Sequence, residues 1–174
     1  MRLPADLRAS ALAPLALDGP RLRALPASAA HARHLQACLD GAPGYFLATE
    51  GTLPGPDAAE RLLSDAEADA QRLLFLLAPR AGGAPVGLLD LQLEYPEPDT
   101  AQIVLLLFRE RCQGQGYGRE TTAALEAALA ARGVRALRLS VVDENTGAHA
   151  FWERVGFAAV GRLERGVTVY EKVL

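Results

Sequence analysis

At 174 residues and 18.5 kDa the chain is long enough to bury a core and short enough to form one domain, expected over residues 1–174. A net charge of −3 and a pI near 5.6 argue against a nucleic-acid binder, which needs a basic face, and no run reaches the roughly 18–20 uncharged apolar residues of a membrane span. Cys38 and Cys112 form neither a disulfide framework nor a zinc spacing, and the Ala/Leu/Arg bias reads as the nucleotide composition of the source genome.

Pro4, Asp6, Arg8 and Pro14 interrupt the N-terminal stretch, so it lacks the apolar core of a signal peptide; a cytoplasmic protein is expected, with residues 1–20 as an extension or a first strand. "ARHLQACLD" and "PDAAERLLSDAEADAQRL" carry apolar residues at helical spacing, with turn signals at Gly41-Ala42-Pro43-Gly44 and Pro54-Gly55-Pro56. The His31-x-x-His34 pair has no Cys or carboxylate beside it and reads as a polar helix face rather than a metal site. "LLFLLAP" and "PVGLLDLQLEYP" flank Arg80-Ala81-Gly82-Gly83 and predict a β-hairpin. In its second strand Leu89, Leu91 and Leu93 alternate with Asp90, Gln92 and Glu94, as in a half-buried strand, whereas "AQIVLLLF" does not alternate and predicts a central strand buried on both faces.

"RETTAALEAALAARG" predicts a helix stopped at Gly133, and "ALRLSVV" another strand. The short helix "NTGAHAFWERVG" has Asp143 or Asn145 as its cap and Gly156 at its end. "FAAVGRL" and "VTVYEKVL" close the chain as a hairpin across Glu164-Arg165-Gly166. The order is helices, a strand meander, then β-α-β-α-β-β: an α+β (mixed α/β) domain with one sheet.

Between strand and helix stands "RCQGQGYGRE". A P-loop needs a lysine after its glycines, and none follows. A dinucleotide fingerprint needs G-x-G-x-x-G and an acid about 20 residues on, and both are missing. Gln113-x-x-Gly116-x-Gly118 remains open as a plain tight turn or as a pyrophosphate seat of backbone amides at a helix N-terminus.

"LLLFRERCQGQGYGRETTAAL" followed by "LRLSVVDENTGAHAFWERVGF" resembles the GNAT superfamily of acyl-CoA-dependent N-acyltransferases, best over residues 86–157. The second block carries the resemblance at Val141, Asn145, Ala148, Phe151, Trp152, Glu153, Gly156 and Phe157. The resemblance implies a mostly antiparallel twisted sheet, splayed at the cofactor site and flanked by about four helices. It further implies acetyl-CoA or CoA as co-substrate and no metal. By position, Leu106, Leu107 and Phe108 offer backbone to pantetheine and the thioester, with an N–H near Leu106 polarising the carbonyl. Gln113, Gly114, Gln115, Gly116, Tyr117, Gly118 and Arg119 hold the pyrophosphate. Asn145 contacts pantetheine, caps its helix, or both; Ala148, Phe151 and Trp152 complete the cofactor set, with core packing the other reading of Trp152.

The general base and acid stay unassigned. Many members of the family place a tyrosine where Trp152 stands, and an indole has no usable proton at neutral pH. Glu94, His149 and Tyr117 are the candidates, with Asp90 a further carboxylate able to act through a water; an ordinary surface or strand-end role is the rival reading of the charged ones. The acceptor is expected between the early helices and the meander, at "PGYFLATEG" and "LEYPEP", with Tyr45, Phe46 and Tyr95 as aromatic walls. The resulting expectation is transfer of an acetyl group from acetyl-CoA to a primary amine of a small molecule or peptide by direct attack on the thioester. The rival is a catalytically weak acyl-CoA-binding or sensing domain. Partners are the amine acceptor, with no nucleic acid and no membrane, in a monomer or homodimer.

Overall fold

The computed structural model describes residues 15–163 and 166–174. Seven strands, β1 (Leu22–Pro26), β2 (Arg72–Pro79), β3 (Gly87–Leu93), β4 (Thr100–Phe108), β5 (Ala136–Val142), β6 (Ala158–Leu163) and β7 (Val167–Val173), form one sheet in the order β1-β2-β3-β4-β5-β7-β6. Every neighbouring pair is antiparallel except β4–β5, which is parallel. Five helices flank it: α1 (Ala32–Asp40), α2 (Pro43–Thr49), α3 (Ala58–Ala68), α4 (Tyr117–Ala130) and α5 (Thr146–Arg154). None of them is long and apolar enough to cross a membrane.

The apolar spacing of each helix decides which face of the sheet it covers. Leu35, Cys38 and Leu39 of α1, Phe46 of α2 and Ala59 and Leu63 of α3 bury against Leu74, Leu76, Leu88 and Leu107. On the other face, Leu125 and Leu129 of α4 and Trp152 of α5 bury against Phe75, Leu89, Leu91, Ile103, Leu137 and Leu139. β2 reads as an unbroken apolar run because successive side chains enter opposite cores. Each fully buried leucine contributes roughly 1.5–3 kcal/mol, so both layers are held mainly by this burial.

Several expectations are met: both hairpins, the β5 span, the Asn145 cap, and the stop glycines Gly133 (φ +80°) and Gly156 (φ +96°). Glu164 and Arg165 of the second hairpin's expected turn, and residues 1–14 of the N-terminal segment, lie outside the described residues. Four details differ. The first strand is Leu22–Pro26, just beyond the expected stretch, with Leu15 and Leu17 buried ahead of it. The Pro43-Gly44 turn signal instead opens α2, because proline at the first helical position costs no hydrogen bond. β3 is buried on both faces from Gly87 to Leu91, since the helices cover the Asp90 side and Arg72 neutralises that carboxylate. β4 is the strand left partly open, with Val104 43% exposed, because β5 turns away from it.

Candidate active site

β4 and β5 pair only through Thr100–Ala136, Ala101–Leu137 and Gln102–Arg138, after which β4 continues to Phe108 and β5 to Val142 without each other. The seam between them therefore opens toward their C-terminal ends. The Arg109 N–H donates to Val86 O at 2.9 Å, so antiparallel alternation turns Leu107 toward β3 and the backbone of Leu106 and Phe108 into the seam. The Phe108 carbonyl is already used, accepting from Gln113 Nε2 at 3.0 Å.

A β-bulge sets the side chains of β4. Asp90 stands opposite Leu105 but Leu91 opposite Ile103, which leaves Val104 as an extra residue. Ile103 and Leu106 consequently both pack on the α4–α5 face, while Val104 and Leu105 both line a cavity on the α1–α3 face. Without the bulge one of each pair would point the other way. The bulge thus sits where the seam and the cavity meet.

The glycine turn follows β4 directly. Gly114 (φ +72°) and Gly116 (φ +82°) adopt left-handed backbone, and Gly116 is the residue before α4. Gln113 Nε2 on Phe108 O and Gln115 Nε2 on Arg111 O (3.0 Å) brace the turn from within. The backbone N–H groups of Gly114 to Arg119 find no acceptor among the described residues, a cradle at a helix N-terminus suited to a diphosphate. Gly118 is bare for another reason: a Cβ there would stand 3.0 Å from Phe151 Cζ, so α4 and α5 approach closely at that point.

Glu120, in the first turn of α4, ties this end of the helix to β1. Its carboxylate accepts from the Arg21 N–H (2.7 Å), the Leu22 N–H (2.8 Å) and Arg21 Nε (2.8 Å). Burial alone raises its pKa, but the two backbone donors and the guanidinium outweigh it, and the net position is below the ordinary 4.5. A folded pKa below the unfolded one means stabilisation that is full above about pH 4.5 and is lost as pH falls through the folded value. Thermal melts between about pH 5 and about pH 3 will show a steeper loss of Tm for the wild type than for Glu120→Gln.

The cavity on the α1–α3 face measures about 650 Å³. Tyr45 and Phe46 of α2, Leu62 of α3 and the bulge residues form its apolar wall, with Glu50, Arg61, Asp65, Arg72 and Asp90 as charged groups. Asp90 is 0% exposed and takes a bidentate contact from Arg72, Nε to Oδ1 at 3.0 Å and Nη2 to Oδ2 at 2.7 Å. Arg72 reaches Asp65 as well, at 3.5 Å. Burial pushes the Tyr45 hydroxyl pKa up, and the nearby Glu50 carboxylate pushes the same way.

The remaining candidates are scattered. Tyr117 stacks on Phe108 with ring centroids 6.3 Å apart, at the turn. His149 uses both ring nitrogens, Nε2 donating to Val142 O (3.1 Å) and Nδ1 meeting Tyr170 Oη (2.8 Å), whose single proton is shared between Nδ1 and Glu153 Oε1 (3.1 Å). It joins α5 to the end of β5 and the middle of β7. Trp152 is buried between Phe151 and Phe157, and Ala148 packs beside them and donates its N–H to Asn145 Oδ1 at 3.2 Å. Glu94 and Tyr95 stand past Leu93, whose partner Ala101 lies in the closed part of the seam, and neither lines the cavity. His31 Nδ1 is engaged by Ser28 in a helix cap. Sequence reasoning missed Arg72, Glu120, Arg21 and the bulge. Only Arg72 left a signal: a lone acid in the apolar run of β3 calls for a cation on the neighbouring hairpin strand.

The sheet thus opens along one parallel seam, with unpaired backbone N–H groups of the glycine turn at its mouth and a cavity on the α1–α3 face behind the bulge. The acetyltransferase (GNAT) family matches residues 33–157, and the chain belongs to that family. An acetyltransferase from Thermus thermophilus is 36% identical, with a TM-score of 0.81 over 88% of this chain and 97% of that one. The fold is shared at lower identity with a GNAT-family acetyltransferase from Bacillus anthracis (14%, TM-score 0.74, covering 91% and 98%). It is shared too with RimL, a ribosomal L7/L12 alpha-N-protein acetyltransferase solved with coenzyme A (16%, TM-score 0.74, covering 91% and 98%).

Proposed function

We propose that the chain is an acetyl-CoA-dependent N-acetyltransferase acting on a primary amine of a small molecule or peptide. The observation that carries this reading is the continuity of amide cradle, half-open seam and cavity across the bulge at Val104. Bound acetyl-CoA supplies the thioester whose carbonyl carbon the amine attacks directly. Gly114 to Arg119 hold its diphosphate, the Leu106 backbone pairs with its pantetheine arm, and the Leu106 N–H polarises the carbonyl. Asn145 keeps its side-chain amide for the same arm, with Oδ1 committed to the cap. The amine's carbon skeleton lies against Tyr45 and Phe46. Asp90, 0% exposed and fixed by Arg72, lies just behind the cavity wall; once the wall residues over it move, it orients the ammonium and receives its proton, directly or through a water. The protein's main contribution is orientation in a dry seam, which by itself supplies several kcal/mol of rate.

The sensing-domain reading draws on Trp152, which is buried in the core where relatives carry an acidic donor. Two measurements separate the readings. At about a hundredfold excess over Kd, CoA will raise Tm by about 5–10 °C in either case. Release of free thiol from acetyl-CoA across a panel of primary amines is expected only of an enzyme. Binding without turnover on a broad panel favours the sensor, and no stabilisation by CoA or acetyl-CoA sinks both.

A further inference from the structure

Arg21 precedes β1, remote in sequence from the glycine turn, yet its side chain is built into that turn. Nη1 donates to Gln115 O at 2.9 Å, Nε to Glu120 Oε2 at 2.8 Å, and the guanidinium carbon lies 4.6 Å from the centre of the Tyr117 ring. These contacts fix the planar group on three sides. Nη2 finds no acceptor among the described residues, and a Cβ placed on Gly116 would stand 3.3 Å from it. The free edge of the guanidinium therefore borders the amide cradle. Glu120 does not quench it fully, because the Arg21 and Leu22 backbone N–H groups share that carboxylate.

We propose that Arg21 is a phosphate-binding residue, its Nη2 donating to the diphosphate of the CoA-type ligand seated on the amides of Gly114 to Arg119. The inference rests on the cofactor reading above. An arginine held in place in advance loses little side-chain entropy when it meets a phosphate, and its planar donors match the anion. Arg111 and Arg119 flank the same turn and are exposed, as Arg21 is, but among the described residues no contact holds their guanidinium groups in place. The turn itself contributes amides and a helix dipole; Arg21 adds a full positive charge.

Calorimetric titration of the full chain with CoA and with 3′-dephospho-CoA tests the assignment. Arg21→Gln is expected to weaken both ligands by the same factor, about 10- to 100-fold, because both carry the diphosphate. Arg21→Lys loses the fork that grips Gln115 and Glu120 but keeps a cation, so it will recover a clear part of the affinity at low salt, and the recovery will fade as salt rises. The backbone bonds to Glu120 survive in both variants, which keeps β1 docked on α4. Unchanged affinity in Arg21→Gln overturns the proposal. A loss confined to CoA overturns it in favour of the 3′-phosphate, and a lysine variant as weak as glutamine overturns it in favour of mere bracing. If the wild type binds neither ligand, the cofactor reading falls first and this inference with it.

Discussion

Asp90→Leu alone will lower stability by about 3 kcal/mol, near the lower end of the range for a broken buried ion pair, because Arg72 is 19% exposed and regains some water. For a domain of this size that is a fall in Tm of about 10 °C. The double variant Asp90→Leu/Arg72→Met removes both charges and is expected to recover most of the loss, since a well-packed apolar pair of similar volume replaces a buried ion pair at little cost. Activity separates from stability in that double variant. CoA-induced stabilisation will persist, because neither residue touches the seam's turn, while kcat/KM for the amine falls by about 100-fold or more with the loss of the carboxylate. Recovery of stability together with wild-type turnover would remove Asp90 from the mechanism and leave it a structural partner of Arg72. Asp90→Asn, which keeps size and one acceptor oxygen, gives the same contrast if the double variant packs poorly.

The same residue shows how far the sequence could be read. Alternation in "GLLDLQL" located β3 and placed Asp90 on one face with Gln92, but it implied a solvent-facing side. Burial of that side depends on α1 and α3 folding over it, a long-range event with no local signature. The glycine turn and the α5 motif were legible because each is a contiguous stretch whose residue types follow from backbone geometry: positive φ at Gly114 and Gly116, a side-chain cap at Asn145. The bulge at Val104 was not legible, since "IVLLLF" is apolar at every position and a one-residue shift changes nothing in its pattern. The three aromatics expected near the acceptor part company in the fold. Tyr45 and Phe46 line it because α2 packs beside the bulge, whereas Tyr95, similar in chemistry and close in sequence to β3, emerges at the other end of the strand. Arg21 and Glu120, 99 residues apart, meet only because α4 crosses the sheet back to β1.

Gly87→Ala will disturb the seam more than any loss of core volume of equal cost. Gly87 pairs with Phe108, and a Cβ at this position would stand 2.1 Å from Leu107 O and 2.9 Å from Phe108 Cδ1. The first contact is with backbone, so no rotamer change relieves it; β4 must move. Forcing a central strand aside costs about 2–4 kcal/mol. The movement has a direction, since β3 lies on one side of Leu107 and the seam on the other. Leu106 to Phe108 are pushed toward β5, narrowing the opening that the pantetheine arm requires. CoA affinity in Gly87→Ala is therefore expected to fall about tenfold in a variant that remains folded at low temperature. Leu35→Ala supplies the comparison: it empties a fully buried site on α1, in the cluster that includes Leu107, at a cost of about 2–5 kcal/mol, but it drives no atom into the β4 backbone. If both variants lose the same CoA affinity, the effect reflects general loosening and the open seam is not what Gly87 protects. If only Gly87→Ala loses it, the bare backbone of β3 is what holds β4 clear of β5 at the cofactor's path.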